Sequence, residues 1–177
     1  MIADDVEAVL GVTAITSYGG TIVDVDRARW VQAVTAVRDQ LQLAMFDLLT
    51  AVDLGDAGFD VVLRLWGPAR REGLVLRARC PRDDARVPTL VAVFAGAAWH
   101  ERATAELFGI TFDGHGTTPL LLPPSFEGHP LRKDFVLAAR AGRPWPGAKE
   151  PGESDADLTR PARRRAAPLG APPKEWG

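Results

Sequence analysis

Residues Trp99 to Leu137 read WHERATAELFGITFDGHGTTPLLLPPSFEGHPLRKDFVL, and the rest of the chain is best understood outward from them. The stretch opens inside a helical pattern. After Pro88, residues Leu90, Phe94, Ala97, Ala98, Glu101, Ala105 and Phe108 share one face at a 3.6-residue period, and Gly109 is a natural stop. Trp99, Arg102 and Glu106 fall on the opposite side, with Arg102 and Glu106 spaced to pair weakly across one turn. Glu101 does not suit an apolar stripe. A carboxylate there needs a proton, a cation or an interface, because burying it alone is costly. Arg132 and Lys133, just downstream, are the cations expected to pair with it.

Beyond Gly109 stand two acid-Gly-His triplets, Asp113-Gly114-His115 and Glu127-Gly128-His129. Between them runs Pro119-Leu120-Leu121-Leu122-Pro123-Pro124, which can be neither helix nor central strand. An extended strap is expected, its leucines buried against the rest of the protein. In His129-Pro130-Leu131-Arg132-Lys133-Asp134-Phe135, three charges lie between two hydrophobic anchors, a pattern of docking more than of catalysis.

The string Trp99-x-Glu101-Arg102, Leu107-Phe108-Gly109-Ile110, Phe112, Gly114-His115, Leu122-Pro123 and Glu127-Gly128-His129-Pro130-Leu131-Arg132-Lys133-Asp134-Phe135 resembles the C subunit, the 30-kDa-subunit family, of type I NADH:quinone oxidoreductase, respiratory complex I. The resemblance implies an α+β protein of the peripheral arm, without cofactors, packed against the D subunit and close to the B subunit. Flavin and iron–sulfur clusters would lie in partner subunits, as would the sites for NADH and quinone. The place implied is the cytoplasmic side of the cell membrane, peripheral, reached only through the membrane arm. Glu101, Arg102, Phe108, Gly109, His115, Glu127, Gly128, His129, Pro130, Arg132, Lys133 and Asp134 are the signature or interface residues it marks.

The chain also departs from the family pattern. Ala103 and Glu106 replace the usual acid and Asp, Gly116 to Pro119 replace a proline, an acid or amide and an arginine-containing stretch, and Pro124 and Ser125 replace acids. Charge is thereby removed from one loop, as in a divergent paralogue. Membrane-bound NiFe hydrogenases and formate hydrogenlyases use a homologous domain, which gives a second machine in which the chain would fit. A third reading, from another class, is a free-standing small hydrolase using Glu101 and His129.

Composition narrows these choices. At 177 residues and 46% hydrophobic the chain can bury one core, and a net charge of −2 argues against a general electrostatic grip on nucleic acid or anionic lipid. Cys80 stands alone, too few thiolates for an iron–sulfur cluster. No run approaches the ~20 apolar residues of a membrane span, and Met1 to Asp5 is acidic where a secretory signal would be basic.

Residues 1–110 are expected to form the core domain. Asp4 to Leu10 reads as a helix closed by Gly11, Val12 to Ser17 and Thr21 to Val25 as a hairpin about Tyr18-Gly19-Gly20. Asp26 suits the N-cap of a helix whose seam is Trp30, Val34, Val37 and Leu41. Strands follow at Phe46 to Val52, Phe59 to Trp66 and Gly73 to Cys80, the last alternating Leu74, Leu76, Ala78 and Cys80 with solvated Arg77 and Arg79. The order α-β-β-α-β-β-β-α predicts an α+β fold of two layers, helices on one side of a mixed, mostly antiparallel sheet. Residues 111–137 are the strap, and 138–177 a tail holding seven of the 14 prolines and the basic cluster Arg160, Arg163, Arg164 and Arg165. The tail's Trp145 and Trp176 are expected to order on a partner.

Other chemistry fails on spacing. Gly142 to Lys149 approaches a phosphate-binding loop, but its Lys does not directly follow the second Gly and no Ser or Thr follows. His100, His115 and His129 with Asp113 and Glu127 offer metal-ligand types without a close pair, so hydrogen-bonded structural histidines are expected, and the glycines before His115 and His129 suit sharp turns. Ser125 lacks a hydrolase elbow, and Cys80 sits in a predicted strand.

Overall fold

The computed structural model describes residues 2–17, 20–116 and 118–136. Its elements are α1 (Ile2–Leu10), β1 (Ala14–Ser17), β2 (Gly20–Asp24), α2 (Trp30–Gln40), β3 (Met45–Asp53), β4 (Phe59–Gly67), β5 (Glu72–Cys80), β6 (Arg86–Pro88), α3 (Ala97–Phe108) and β7 (Thr111–Asp113). The expected order is present, with two short strands added.

Five strands form one sheet in the order β1-β2-β5-β4-β3, parallel between β2 and β5 and antiparallel elsewhere. The period-2 alternation of β4 and β5 explains how it packs. Register aligns Val23, Leu76, Leu63 and Leu49 across four strands, and all four are buried. The next row, Asp24, Arg77, Val62 and Thr50, faces the other way. All three helices contribute to the single core cluster on the inner face, so they cover one side, and the outer face has no helix among the described residues.

The α2 seam is buried at Trp30, Val34, Val37 and Leu41. Asp26 caps as expected, but it caps a short 3-10 turn, Arg27–Arg29, that leads into the helix: its Oδ1 accepts from the Ala28 N–H at 2.8 Å. Arg77 and Arg79 are on the outer face as expected, yet they are ion-paired, to Asp24 and Asp60 respectively. Cross-strand opposite charges of this kind favour the register without filling the core.

Two expectations need correction. The periodic run after Pro88 is not continuous helix. Leu90 to Gly96 forms turns, in which the Val93 and Phe94 N–H groups both donate to Leu90 O, and α3 starts at Ala97 after Gly96. Leu90 is buried and Phe94 packs on Phe46, so apolar period was satisfied by turns that fold onto the same core. The second correction is the parallel pair β6 and β7, in which Val87 faces Phe112 with both buried. Three residues are too few to show a period.

The strands of the hairpin pair from Ala14 with Val23 to Ser17 with Gly20, while Tyr18 and Gly19 of its expected turn lie outside the described residues. So do the tail expectations at Trp145, Trp176 and the arginine cluster, and the near-miss loop from Gly142 to Lys149. Among the described residues, no helix is long and apolar enough to cross a membrane.

Candidate functional site

The signature residues lie along α3 and the strap that crosses it, in several separate places, and their contacts are largely polar. Glu101 is fully buried, one of few charged groups in that state. Its carboxylate accepts from Thr89 Oγ1 at 2.7 Å and from the Leu90 N–H at 2.6 Å, and His115 Nδ1 lies 3.0 Å away. The expected pairing with Arg132 or Lys133 is therefore wrong. Arg132 docks at the far end of α3, seven residues and about 10 Å of helix axis from Glu101, and Lys133 is exposed, its backbone N–H on Asp53 of β3. Glu101 instead ties the turn after β6 to the turn after β7.

Arg132 serves the other end. Its Nε donates to Phe108 O at 2.5 Å and its Nη2 to Gly109 O at 3.4 Å, while the guanidinium lies over the Phe59 ring at 5.3 Å. These are carbonyls that a helix C-terminus leaves unpaired, and a cation there also suits the helix dipole. His129 Nδ1 meets Glu106 O at 2.8 Å, so this ring nitrogen carries the proton, since a carbonyl can only accept. Gly109 makes the arrangement possible. Its φ is +72°, and a Cβ there would sit 2.5 Å from both His129 Nε2 and Arg132 Nη2.

Glu106 and Arg102 do not form the expected pair. Each reaches to the strap: Glu106 accepts from the N–H groups of Leu120, Leu121 and Leu122 at 3.2, 2.8 and 2.7 Å, and Arg102 donates to Thr118 O and Pro119 O, both at 2.9 Å. Burial alone would push the Glu106 carboxyl up, but those three N–H groups and the nearby Arg102 charge together hold it below its ordinary value. The strap thus presents backbone to α3. For that reason its leucines are not the anchors expected of them: Leu120 and Leu122 are half-buried, while Leu121 is 61% and Leu131 51% exposed.

The strap's end is fastened to the sheet by residues that sequence reasoning missed. Asp53, at the end of β3, accepts from the Gly55 and Lys133 N–H groups at 2.7 and 2.8 Å and from Arg82 at 3.0 Å. Arg82 also donates to Asp134 at 2.7 Å. Burial opposes ionisation of Asp53, yet the two N–H groups and Arg82 hold its carboxyl below the usual range, and the Arg82 hydrogen bond does the same for Asp134. An acid directly before a glycine-rich loop was the available signal. Phe126 and Phe135 stack at 6.0 Å, Pro130 is half-buried, and Glu127 is exposed.

The expectation of hydrogen-bonded histidines holds. His100 lies beside the Leu49 backbone, His115 beside Glu101 and His129 on α3, three separate places. Gly114 and Gly128 have φ of +93° and +91°, as the turns before His115 and His129 require. No group of three or more His, Cys, Asp or Glu among the described residues could hold a metal ion. Glu101 and His129 take separate partners, Glu101 at the turns after β6 and β7 and His129 at Glu106 O, with no hydrogen bond between them among the described residues. Burial pushes the Cys80 thiol up to about 11, far from a nucleophile's range.

Comparison with known proteins agrees with this picture. Residues 23–141 match the family described as respiratory-chain NADH dehydrogenase, 30 Kd subunit. The C/D subunit of NADH-quinone oxidoreductase from Citrobacter koseri is 39% identical over 122 residues, covering 68% of this chain and 19% of the relative. The protein of the same name from Yersinia pestis strain Pestoides F is 33% identical over 178 residues, covering 94% of this chain and 28% of its own. The chain therefore spans less than a third of the length of these relatives. Two solved structures share the fold: the trypsin-resistant fragment of Nqo5, with TM-score 0.56, 23% identity and coverage of 66% of this chain and 96% of the fragment, and a chain of the membrane-bound sulfane sulfur reductase, an archaeal respiratory membrane complex, with TM-score 0.63, 22% identity and coverage of 78% and 85%. The match at 23–141 takes in most of the sheet, all of α3 and the whole described strap, and on it the chain belongs to the respiratory-chain NADH dehydrogenase 30 Kd subunit family.

Proposed function

We propose that the chain is the C-type component of a proton-translocating NADH:quinone oxidoreductase, a cofactor-free structural part of the peripheral arm on the cytoplasmic side of the membrane. Flavin and iron–sulfur centres in other subunits would carry electrons from NADH to quinone. Its own contribution is geometry: it packs against the D subunit, close to the B subunit, and helps hold them in place. The joint name C/D of the curated relatives supports a D-type neighbour.

One observation carries this reading. Within the family match, the polar signature groups Glu101, Arg102, His129, Arg132 and Asp134, together with Glu106, spend hydrogen bonds on fastening the strap and its flanking turns, an arrangement suited to a fixed surface rather than to turnover.

The test is to purify the full chain, tagged, from detergent-extracted native membranes. NADH:quinone activity should accompany it, with flavin and iron–sulfur subunits identified by mass. The sulfane sulfur reductase likeness supports a second reading, in which the same fold serves another membrane machine such as a NiFe hydrogenase or formate hydrogenlyase. Co-purifying hydrogen evolution in place of NADH oxidation would favour it.

A further inference from the structure

The two edges of the five-stranded sheet, β1 and β3, are finished differently. At β3 the ladder carries a register shift between Phe46 and Leu48, and His100 of α3 reaches the middle of the strand. Its Nδ1 lies 3.3 Å from the Leu49 nitrogen and 3.2 Å from the Leu49 oxygen, with the ring edge-on to Phe46 at 5.1 Å. A strand added there would have to displace that imidazole.

β1 carries none of these devices. Its sequence, Ala14-Ile15-Thr16-Ser17, has no charge and no proline, and its register with β2 is unbroken. The neighbouring ladders fix where its backbone groups point. The Val25 N–H donates to Arg77 O, so the alternate residues Thr21 and Val23 face β5 and Ile22 faces β1. Ile22 stands opposite Ile15, which keeps the hydrogen bonds of Ile15 and Ser17 inside the sheet and turns the groups of Ala14 and Thr16 outward. Glu7 agrees with this parity, since its Oε1 accepts from the Ala14 N–H at 2.8 Å from outside the ladder. Ala14 O, the Thr16 N–H and Thr16 O have no hydrogen-bond partner among the described residues. Thr16 is exposed, and Ile15 is 48% exposed.

We propose that the β1 edge receives one extended strand from a partner protein, running parallel to β1, with an apolar side chain beside Ile15. Main-chain hydrogen bonds supply the attraction, as in strand addition generally. Glu7 decides the direction. In a parallel ladder the residue beside Ile15 donates to Ala14 O and accepts from the Thr16 N–H, and the residue two positions on donates to Thr16 O. All three groups are then used, and the Ala14 N–H is not required. An antiparallel strand would instead set a carbonyl opposite the Ala14 N–H, where it meets the Glu7 carboxylate. Two-fold pairing of β1 with its own copy, centred on Ile15, is antiparallel and places Thr16 O of each copy against the Ala14 N–H that Glu7 already holds. Ile15 and Ile22 share the outer face of the sheet, so an apolar residue beside Ile15 extends that row.

This inference rests on the reading of the chain as part of a larger complex, and the experiment separates the two. Amide exchange is compared between the full chain alone and the assembly that the tagged chain brings down from native membranes. Thr16 should exchange at least about tenfold more slowly in the assembly, while Ile15, already bonded to β2, changes by less than about twofold. Thr16→Pro removes the outward donor at a position where an edge strand tolerates proline, and should reduce retention of a co-purifying subunit at least about tenfold. Thr16→Val keeps the backbone groups and should stay within about twofold of wild type. Thermal midpoints are measured first, and Thr16→Lys repeats the test should the proline variant melt early. Equal Thr16 exchange in the two states, or a folded Thr16→Pro chain that keeps all its partners, would overturn the added strand. So would a Thr16 amide protected in the chain alone, whether by self-association or by residues 137–177. A wild-type chain that comes down without partners overturns both readings. An assembly that protects Thr16 but contains no NADH-oxidising subunits overturns the proposed function alone.

Discussion

Across the sheet, Val23, Leu76, Leu63 and Leu49 form one buried row, whereas the strap is held by Glu106, His129 and Arg132 over α3 and by Asp53 at the end of β3 while Leu121 and Leu131 remain in solvent. The contrast teaches how each region should fail. Apolar burial is spread over many residues, so the sheet loses a fraction of its stability with any one of them. The strap depends on a few charged or polar groups, each satisfying several partners, so one substitution can release a long segment.

The largest effect is expected where α3 ties the turn after β6 to the start of the strap. Glu101→Ala would leave the buried Leu90 N–H and the Thr89 hydroxyl without their acceptor and open a cavity, at a cost of about 3 kcal/mol. Chemical denaturation of the full chain measures it. A midpoint equal to wild type would show that this carboxylate contributes nothing net.

Gly109→Ala comes next, at about 2 kcal/mol, because the substitution adds a left-handed backbone penalty and sets a Cβ 2.5 Å from the two strap groups that cap α3. The loss should concentrate in the strap. Amide exchange should quicken at Leu131, whose N–H donates to Leu107 O, more than in β4 or β5. Uniform acceleration would mean that helix end and sheet unfold together.

A smaller effect separates the regions by pH. Glu106, Asp53 and Asp134 are held below their ordinary values, so their contribution is present above the unfolded carboxylate value of about 4 and lost as pH falls through the folded value. The amides of Leu120 to Leu122 should therefore lose protection on acidification before those of β4 do. Glu106→Gln should remove most of that acid dependence and raise exchange at those three amides on the order of tenfold at neutral pH, the equivalent of one charge-assisted hydrogen bond. Protection that is unchanged in the variant would sink the three-amide cradle.

The smallest change belongs to the outer sheet. Arg64→Ala removes an exposed ion pair with Asp47 and should shift stability by no more than about 0.5 kcal/mol. A larger loss, read from the same denaturation curves, would mean that the sheet too depends on its polar groups.

What the sequence determined by itself is what local chemistry can specify. Alternation in Leu74 to Cys80, the seam of Trp30, Val34, Val37 and Leu41, the stop at Gly109 and the turns at Gly114 and Gly128 follow from backbone geometry and period, and each stands where it was read. That Glu101 needed a partner was also legible, since no buried carboxylate is stable alone. Which partner it took was not. Composition and period carry no information about contacts such as Lys133 N to Asp53, 80 residues apart, or Arg132 to Phe108 O, 24 apart. Those were decided when the strap crossed α3, because several cations competed for a few acceptors and only the packed chain fixed which lay within hydrogen-bond reach. The short strands β6 and β7 were settled in the same way, by tertiary pairing of residues 25 positions apart that show no pattern of their own.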